Sequence, residues 1–216
     1  TVAAIPNEII SQYREIAQKA KLEIVLMEAE MFGLVRALVA QDDTRPTCLI
    51  DIGIQSTVCS LIEKRVLKYS HSFDRGSRYL ADEIANRLPV NHELARSIRE
   101  NYGLKLISLV DPEIREKIMD ILKESLAPIF REIDMMIADF RKTTNAEVAK
   151  MILSGGVLAV PEIRQQFNDY FATETEIADP FPNIDYRQDL APYKKEIGLN
   201  YSVAMGMAQR VFDIAR

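Results

Sequence analysis

The chain has 216 residues, of which 48% are hydrophobic and 27% are charged, as in an ordinary globular protein with room for a substantial core. Its formal net charge is −5, and acidic and basic residues are mixed along it, which excludes nonspecific nucleic-acid binding because that function needs a basic surface. No apolar run approaches the ~18 residues that span a bilayer, so direct membrane insertion is not expected.

The first 44 residues alternate between strand and helix patterns. The chain begins at Thr1 without an initiator Met and enters an apolar run at once, so we expect a fragment of a longer protein. A short strand at 2–5, a helix from Pro6 to about residue 20, a strand at 22–27 and a helix at 28–40 follow from apolar spacing. This order predicts an α/β layer with a partly parallel sheet.

Three further strands are predicted at 48–53, 57–62 and 65–73, joined by tight turns. The first two are rich in apolar β-formers, as in buried strands. Cys48 and Cys59 lie in these strands, and two cysteines alone do not make a disulfide framework. We therefore expect two half-buried free thiols in a cytosolic protein.

The middle of the chain is helical, and the strand pattern then returns. Helices are predicted at 76–88, 91–102 and 112–141, with a kink or break at Pro128, so this block resembles an insertion into a sheet-based domain. The later elements are a strand at 150–154, a helix at 160–171, a short strand at 176–178, an irregular segment at 184–196 and a closing helix at 201–215.

The most informative stretch runs from Asp51 to Thr57. An acidic residue ends one strand, Gly53 permits a sharp turn, and hydroxyl side chains begin the next strand. Backbone amides in such a turn can converge on an anion, and the carboxylate can hold a hydrated Mg²⁺ or orient a water molecule. A plain β-hairpin turn with a polar tip is the alternative explanation.

A second stretch is a strand that ends at the paired glycines Gly155 and Gly156. Paired glycines allow a ligand or another backbone to come close, and the following helix offers free amides and positive potential. A simple strand–loop–helix connection explains the pattern equally well.

Two single residues also stand out. Gly206 lies inside the closing helix, where Gly costs about 1 kcal/mol relative to Ala, so we expect a close helix crossing there. Glu28 lies at a strand-to-helix junction, and it is either a water-orienting acid or an ordinary acid favoured by the helix dipole. The two histidines do not have metal-ligand spacing, and the sequence contains no P-loop.

Taken in order, these features resemble the actin-like ATPase superfamily and, within it, the PilM type IV pilus assembly proteins. The likeness is carried by ordered segments along nearly the whole chain: Glu28 to Ala37, Asp51 to Thr57, Gly76 to Leu88, Ser154 to Pro161, Asp179 to Phe181, and Ala204 to Arg210. The resemblance implies an actin-like (ribonuclease H-like) α/β fold with a helical insertion, comprising the second lobe and part of the first.

By this resemblance, ATP and Mg²⁺ would lie between the lobes. The segment 28–37 corresponds to the first connecting helix and Gly206 to the second. The residues implied in cofactor binding are Asp51, Gly53, Gln55, Ser56, Thr57, Arg99, Gly155, Gly156 and Val157, with Asp51 holding Mg²⁺ through water. Glu28 and Asp51 are the candidates for orienting water.

The chain differs from the family pattern at two places. No first phosphate loop precedes Thr1, and Arg96 stands where relatives carry an acid that contacts the ribose, with Arg99 in the place of a lysine. The implied division is 1–44 as part of the first lobe, 45–75 and 143–216 as the second lobe, and 76–142 as a helical insertion.

The function implied is a cytoplasmic ATP-binding scaffold whose nucleotide state controls lobe closure and partner binding. It would be at most a slow ATPase and is not expected to be active as this fragment. Its partner would be the short cytoplasmic tail of an inner-membrane, PilN-like assembly protein, and self-association is also expected. The alternatives are an FtsA-type cell-division tether, a sugar or acetate kinase on the same scaffold, and a degenerate interaction module that binds no nucleotide.

Overall fold

A five-stranded mixed sheet forms the centre of the protein. The computed structural model describes residues 5–88, 111–182 and 184–214. The strands are β1 (Thr47–Ile52), β2 (Thr57–Glu63), β3 (Val66–Phe73), β4 (Lys150–Ser154) and β5 (Glu174–Ile177). Their spatial order is β3-β2-β1-β4-β5. Pairing is antiparallel for β1–β2 and β2–β3 and parallel for β1–β4 and β4–β5, which confirms the predicted partly parallel sheet.

Helices cover both faces of this sheet. The helices of the described residues are α1 (Asn7–Lys19), α2 (Glu30–Leu38), α3 (Ser77–Arg87), α4 (Pro112–Thr144), α5 (Pro161–Tyr170) and α6 (Lys194–Ile214), with short 3₁₀ helices at Gly156–Ala159 and Gln188–Tyr193. α1 buries no residue and is not part of either covering layer. In the part of the chain that the structure describes, no helix is both long and apolar enough to cross a membrane.

The alternation of side chains along β1 divides the core in two. Cys48 and Ile50 face a large cluster that α3, α4 and α5 complete. Leu49 faces the opposite side, where Leu34 and Val35 of α2 cover the sheet. Both layers are almost completely excluded from water, as expected for a sheet buried between helices.

The helices α2 and α6 cross at a pair of glycines. A Cβ atom added to Gly206 would overlap the carbonyl oxygen of Gly33, and one added to Gly33 would lie 3.2 Å from the carbonyl oxygen of Val203. Main chain therefore meets main chain at this crossing. The close helix approach that Gly206 predicts is confirmed.

The predicted strand at 22–27 is wrong. The structure has no strand there, and Leu22 and Val25 are 69% and 75% exposed. The run is apolar enough for a buried strand, but among the described residues no neighbouring strand pairs with it. The predicted helix at 91–102 and the strand at 2–5, apart from Ile5, lie outside the described residues.

Two helices differ from the prediction in extent. α4 continues through Pro128 as one helix, so of the kink or break predicted there, the break is wrong. The neighbouring residues Leu126, Ile129 and Phe130 are buried in the core and hold both sides of the proline in place. α6 begins at Lys194 instead of near residue 201, because a polar first turn hides its start.

The two cysteines are fully buried, not half-buried. Cys48 and Cys59 are both free thiols with no solvent exposure, and their Sγ atoms lie 3.6 Å apart on the adjacent strands β1 and β2. The hydrogen bond with Cys59 and burial raise the pKa of the Cys48 thiol. Thiols in such surroundings are unreactive, so the pair belongs to the core.

Candidate functional site

A cavity opens at the carboxyl ends of β1 and β4, where the two glycine-containing turns meet. Its volume is about 320 Å³, within the usual range for ligand sites. Three parts of the chain form its wall: the β1–β2 turn with the start of α3, the corner after β4, and the second turn of α6. The lining residues are Asp51, Ile52, Gly53, Ile54, Ser77, Ser154, Gly155, Gly156, Val157, Val160, Leu199, Asn200, Ser202 and Val203.

The β1–β2 turn is fixed by backbone hydrogen bonds. The Gly53 amide donates to the Ser56 carbonyl at 3.0 Å, and the first amides of α3, at Ser77 and Arg78, donate to the carbonyls of Gly53 and Ile54 at 2.8 and 3.0 Å. α3 therefore docks its N-terminus on this turn, and Ser77 lines the cavity there. The positive end of the α3 dipole consequently lies beside the cavity.

The corner after β4 is shaped by main-chain contacts. Gly155 has a φ of +113°, and a Cβ atom on it would overlap the Ile52 carbonyl oxygen, so only glycine fits there. The Gly155 amide donates to the Leu199 carbonyl at 3.1 Å. Among the described residues no backbone carbonyl accepts from the amides of Gly156 and Val157, which begin the 3₁₀ helix and offer two donors to the cavity.

Asp51 ends β1 and pairs in register with Ser154 of the parallel strand β4. Burial raises the pKa of Asp51, a hydrogen bond from Ser154 opposes this change, and the nearby Glu30 carboxylate adds to it. Glu30 is the first residue of α2. Asp51 lines the cavity, and Glu30 is not among the lining residues.

Glu28, predicted to orient water, is engaged elsewhere. Its carboxylate accepts hydrogen bonds from both terminal nitrogens of Arg36 at 2.6 and 3.0 Å, and Arg36 also donates to the carbonyl of Gly206 at 2.8 Å. Glu28 therefore joins the start of α2 to α6. The acid of this junction that acts on Asp51 is Glu30, two residues later.

The remaining predicted site residues fall into three groups. Asp51, Gly53, Gly155, Gly156 and Val157 line the cavity together. Gln55, Ser56 and Thr57 are not among its lining residues; Thr57 is buried and donates its hydroxyl to the Arg75 carbonyl at 2.6 Å. Arg96 and Arg99 lie outside the described residues.

Several cavity residues were missed by the sequence prediction. Ser154 precedes the paired glycines, and its pairing with Asp51 follows once β1 and β4 are taken as parallel neighbours. Asn200 and Ser202 carry no motif, and their place depends on where α6 begins. Within residues 5–88, 111–182 and 184–214, no group of three or more His, Cys, Asp or Glu side chains is arranged to hold a metal ion.

Comparison with solved structures identifies the fold. A chain of a PilM–PilN type IV pilus biogenesis complex superposes with a TM-score of 0.75 at 19% identity, over 94% of this chain and 58% of that one. MreB5 of Spiroplasma citri bound to AMPPNP gives a TM-score of 0.65 at 16% identity, over 99% of this chain and 67% of that one. EutJ of Carboxydothermus hydrogenoformans gives 0.59 at 16% identity, over 94% and 62%. The protein therefore has the actin-like ATPase fold.

Sequence comparison identifies the family. The cell division protein FtsA of Streptococcus pneumoniae is 21% identical over 99 residues, which are 45% of this chain and 22% of FtsA. This chain therefore spans less than two thirds of the length of the matched chain in the PilM–PilN complex and of FtsA. The family described as type IV pilus assembly protein PilM matches residues 1–212. The chain belongs to this PilM family of actin-like pilus assembly proteins.

Proposed function

We propose that the chain is the nucleotide-binding part of a scaffold in the inner-membrane assembly complex of a type IV pilus or a related secretion or competence system. The observation that carries this proposal is the meeting of the Asp51–Gly53 turn and the Gly155–Gly156 corner in one cavity. These turns are about a hundred residues apart in sequence, and each is suited to an anion or a close ligand approach.

The donors around the cavity support a phosphate-bearing ligand. The amides of Gly156 and Val157 are available at one side, and the α3 N-terminus lies at the other, beside Ser77. Phosphate groups are stabilised by the positive end of a helix. We therefore assign the phosphates to the β1–β2 turn, where α3 begins, and the nucleoside to the corner at Gly156, where the amides of Gly156 and Val157 can donate to its acceptor atoms.

The chemistry of Asp51 fits a Mg²⁺ ion that arrives with the nucleotide. Burial raises the pKa of this carboxyl, so its charged form needs a positive partner, and Mg²⁺ commonly uses one or two carboxylates together with phosphates and water. The ion would supply positive charge against the phosphates. Asp51 would hold it through water. Any ATP hydrolysis would be slow, because it needs phosphates clamped from both phosphate loops in line with a water molecule.

Nucleotide binding would control a partner interaction. α6 contributes Asn200 and Ser202 to the cavity and crosses α2 at Gly206 one turn later, so a ligand in the cavity acts on the crossing. The structural relative is part of a PilM–PilN complex, which supports a PilN-like partner. That the partner contributes a cytoplasmic tail, and that the protein lies in the cytoplasm at the inner membrane, are further parts of the proposal. Self-association stays a prediction.

The same assignment suggests a division of the chain. Residues 1–44 belong to the first lobe, 45–75 and 143–216 to the second, and 76–142 to a mainly helical insertion. α2 and α6 would then connect the lobes. The face that α4 presents to the sheet, through Ile129 and Ile133, ties that insertion to the core of the second lobe.

Calorimetric titration with ATP and Mg²⁺ tests the proposal. Wild type should bind, Asp51→Ala should bind at least about tenfold more weakly because a charge-assisted contact is lost, and Asp139→Ala, which alters an exposed acid on α4, should bind as wild type does. Equal affinity of wild type and Asp51→Ala would remove Asp51 from the site. A PilN-like tail peptide, titrated with and without ATP, should then show nucleotide-dependent affinity.

A module that binds no nucleotide is the competing function, and one observation favours it. The glycines at 155 and 206 are already required by close main-chain contacts with Ile52 and Gly33, so neither needs a ligand to explain it. A titration in which wild type binds the tail peptide but no ATP would establish this alternative. The FtsA-type role is disfavoured because the matched family is that of pilus assembly proteins.

A further inference from the structure

Asn200 occupies a defined place in the cavity wall. It lies in the second turn of α6 and faces the corner at Gly156, where a Cβ atom added to the glycine would overlap Asn200 Oδ1. The side chain therefore fills the space that the missing side chain of Gly156 leaves. No sequence motif marks this residue.

The orientation of the Asn200 amide is fixed by the helix itself. Its Nδ2 donates to the carbonyl of Glu196, one turn earlier, at 2.8 Å. Because the nitrogen is used in this bond, the oxygen is the atom that faces Gly156. Among the described residues no donor hydrogen-bonds to Oδ1, so a hydrogen-bond acceptor is held ready in the cavity.

The surroundings of Oδ1 determine what kind of group it would bind. The other polar groups at this end are mainly donors, the amides of Gly156 and Val157, while Ser202 donates its own hydroxyl to the Gly198 carbonyl. Val160 and Leu199 add apolar wall. A flat, apolar group that carries a hydrogen-bond donor on its edge satisfies all of these features.

We propose that Asn200 Oδ1 is a specificity-determining acceptor that receives a hydrogen bond from the 6-amino group of a purine. The proposal rests on the nucleotide site proposed above and adds a base preference to it. An amino-purine such as adenine offers a donor to this oxygen, whereas the 6-oxo group of guanine presents an acceptor and would be repelled. A polar site that loses its partner discriminates more strongly than an apolar one.

A double-mutant cycle measures this contact directly. ATP and purine riboside triphosphate, which lacks the amino group, are titrated into wild type and Asn200→Ala. ATP should bind about three- to tenfold more weakly to Asn200→Ala, whereas purine riboside triphosphate should bind both proteins equally. The preference of wild type for ATP over GTP should shrink in the variant. Tyr201→Ala, which changes the next and exposed residue of α6, is the control and should match wild type.

Three results would overturn the proposal. Equal weakening of both nucleotides by Asn200→Ala would show that the side chain only supports the cavity. Coupling to the ribose, seen when 2′-deoxy-ATP replaces purine riboside triphosphate in the cycle, would remove the assignment to the base. If wild type binds none of these nucleotides, the nucleotide site itself fails, and that outcome is distinguished by the flat wild-type titration. Thermal unfolding of each variant confirms that it is folded.

Discussion

The crossing of α2 and α6 allows a quantitative test with an internal control. Both Gly33 and Gly206 lie inside helices, so replacement of either by Ala gains about 1 kcal/mol of helix propensity. The two sites differ in the space available. A Cβ on Gly206 would overlap the Gly33 carbonyl oxygen. A Cβ on Gly33 would lie 3.2 Å from the Val203 carbonyl oxygen and 3.3 Å from the Cγ and backbone N atoms of Met207, which is tight but without overlap.

These distances set the expected magnitudes. At Gly206 the obstructing atoms belong to a helix backbone, so α2 and α6 must separate, and overpacking of this kind costs about 1–3 kcal/mol or somewhat more. After the gain in propensity, Gly206→Ala should be less stable than wild type by about 1–2 kcal/mol. At Gly33 the propensity gain offsets a small steric cost, and the net change should lie within about 0.5 kcal/mol of zero.

Urea and thermal unfolding of the two variants measure these stability differences. For a chain of this size, the expected loss in Gly206→Ala corresponds to a decrease in Tm of about 3–8 °C. Gly33→Ala should unfold within a degree or two of wild type. The explanation of the glycine crossing is refuted if Gly206→Ala is as stable as wild type, or if both variants lose the same stability.

Three further variants test other parts of the structure. Because burial raises the pKa of Asp51, the folded state binds the proton of this carboxyl more tightly than the unfolded state does, so the free energy of unfolding falls as pH rises from about 4. Asp51→Asn should flatten this decline in a series of urea unfolding curves at different pH values. An unchanged slope would contradict the burial of the Asp51 charge. Asp43 has a pKa lowered chiefly by its hydrogen bond from Arg45, with Lys150 contributing, so its stabilisation is present above about pH 4 and is lost as pH falls through the folded pKa. Asp43→Asn should cost about 3 kcal/mol at pH 7, because the Lys150 side chain is 5% exposed and would keep only Glu176, at 3.4 Å, as an acidic partner. Lys150→Met leaves Asp43 paired with Arg45 and should cost less. The reverse ranking of the two denaturant midpoints would contradict these roles of Asp43 and Lys150. Gly155→Ala combines a positive φ with an overlap at the Ile52 carbonyl and should lower stability by more than about 2 kcal/mol, which thermal unfolding would reveal.

The sequence predicts well the parts of the fold that depend on local pattern. The β1–β2 turn and the corner after β4 are marked by glycines next to apolar runs, and the structure has strand ends at both. The helical crossing was predictable because Gly206 is costly in a helix unless another backbone approaches it. In each case one residue type is forced by main-chain geometry.

Other features depend on long-range packing and are not visible in the pattern. The run at 22–27 has the composition of a buried strand, but a strand also needs a paired neighbour, and composition does not specify one. The helix predicted at 201–215, with its start near 198–200, begins later than α6 does, because the first turn of α6 is polar and follows Pro192. Since Asn200 lay at the edge of the prediction, neither its side-chain bond to the Glu196 carbonyl within the helix nor its place in the cavity was foreseen.

The choice between Glu28 and Glu30 shows the same limit at the site. Both acids stand near the beginning of α2, and the sequence prediction assigned the water-orienting role to Glu28. Their roles are separated by a distant residue: Arg36 pairs with Glu28 at 2.6 Å and also donates to Gly206 of α6, so Glu28 is held at the helix crossing. Glu30 stays at the cavity end, where it acts on Asp51.

These contacts together explain how occupancy of the cavity would reach the rest of the molecule. α6 is a single helix that lines the cavity at Asn200 and Ser202 and meets α2 at Gly206. α2 in turn has Glu30 near Asp51 at its first residue and the Arg36 bond to Gly206 at its other end. Because the backbones of the two helices are in direct contact at Gly33 and Gly206, we expect a shift of α6 by a ligand to be transmitted to α2.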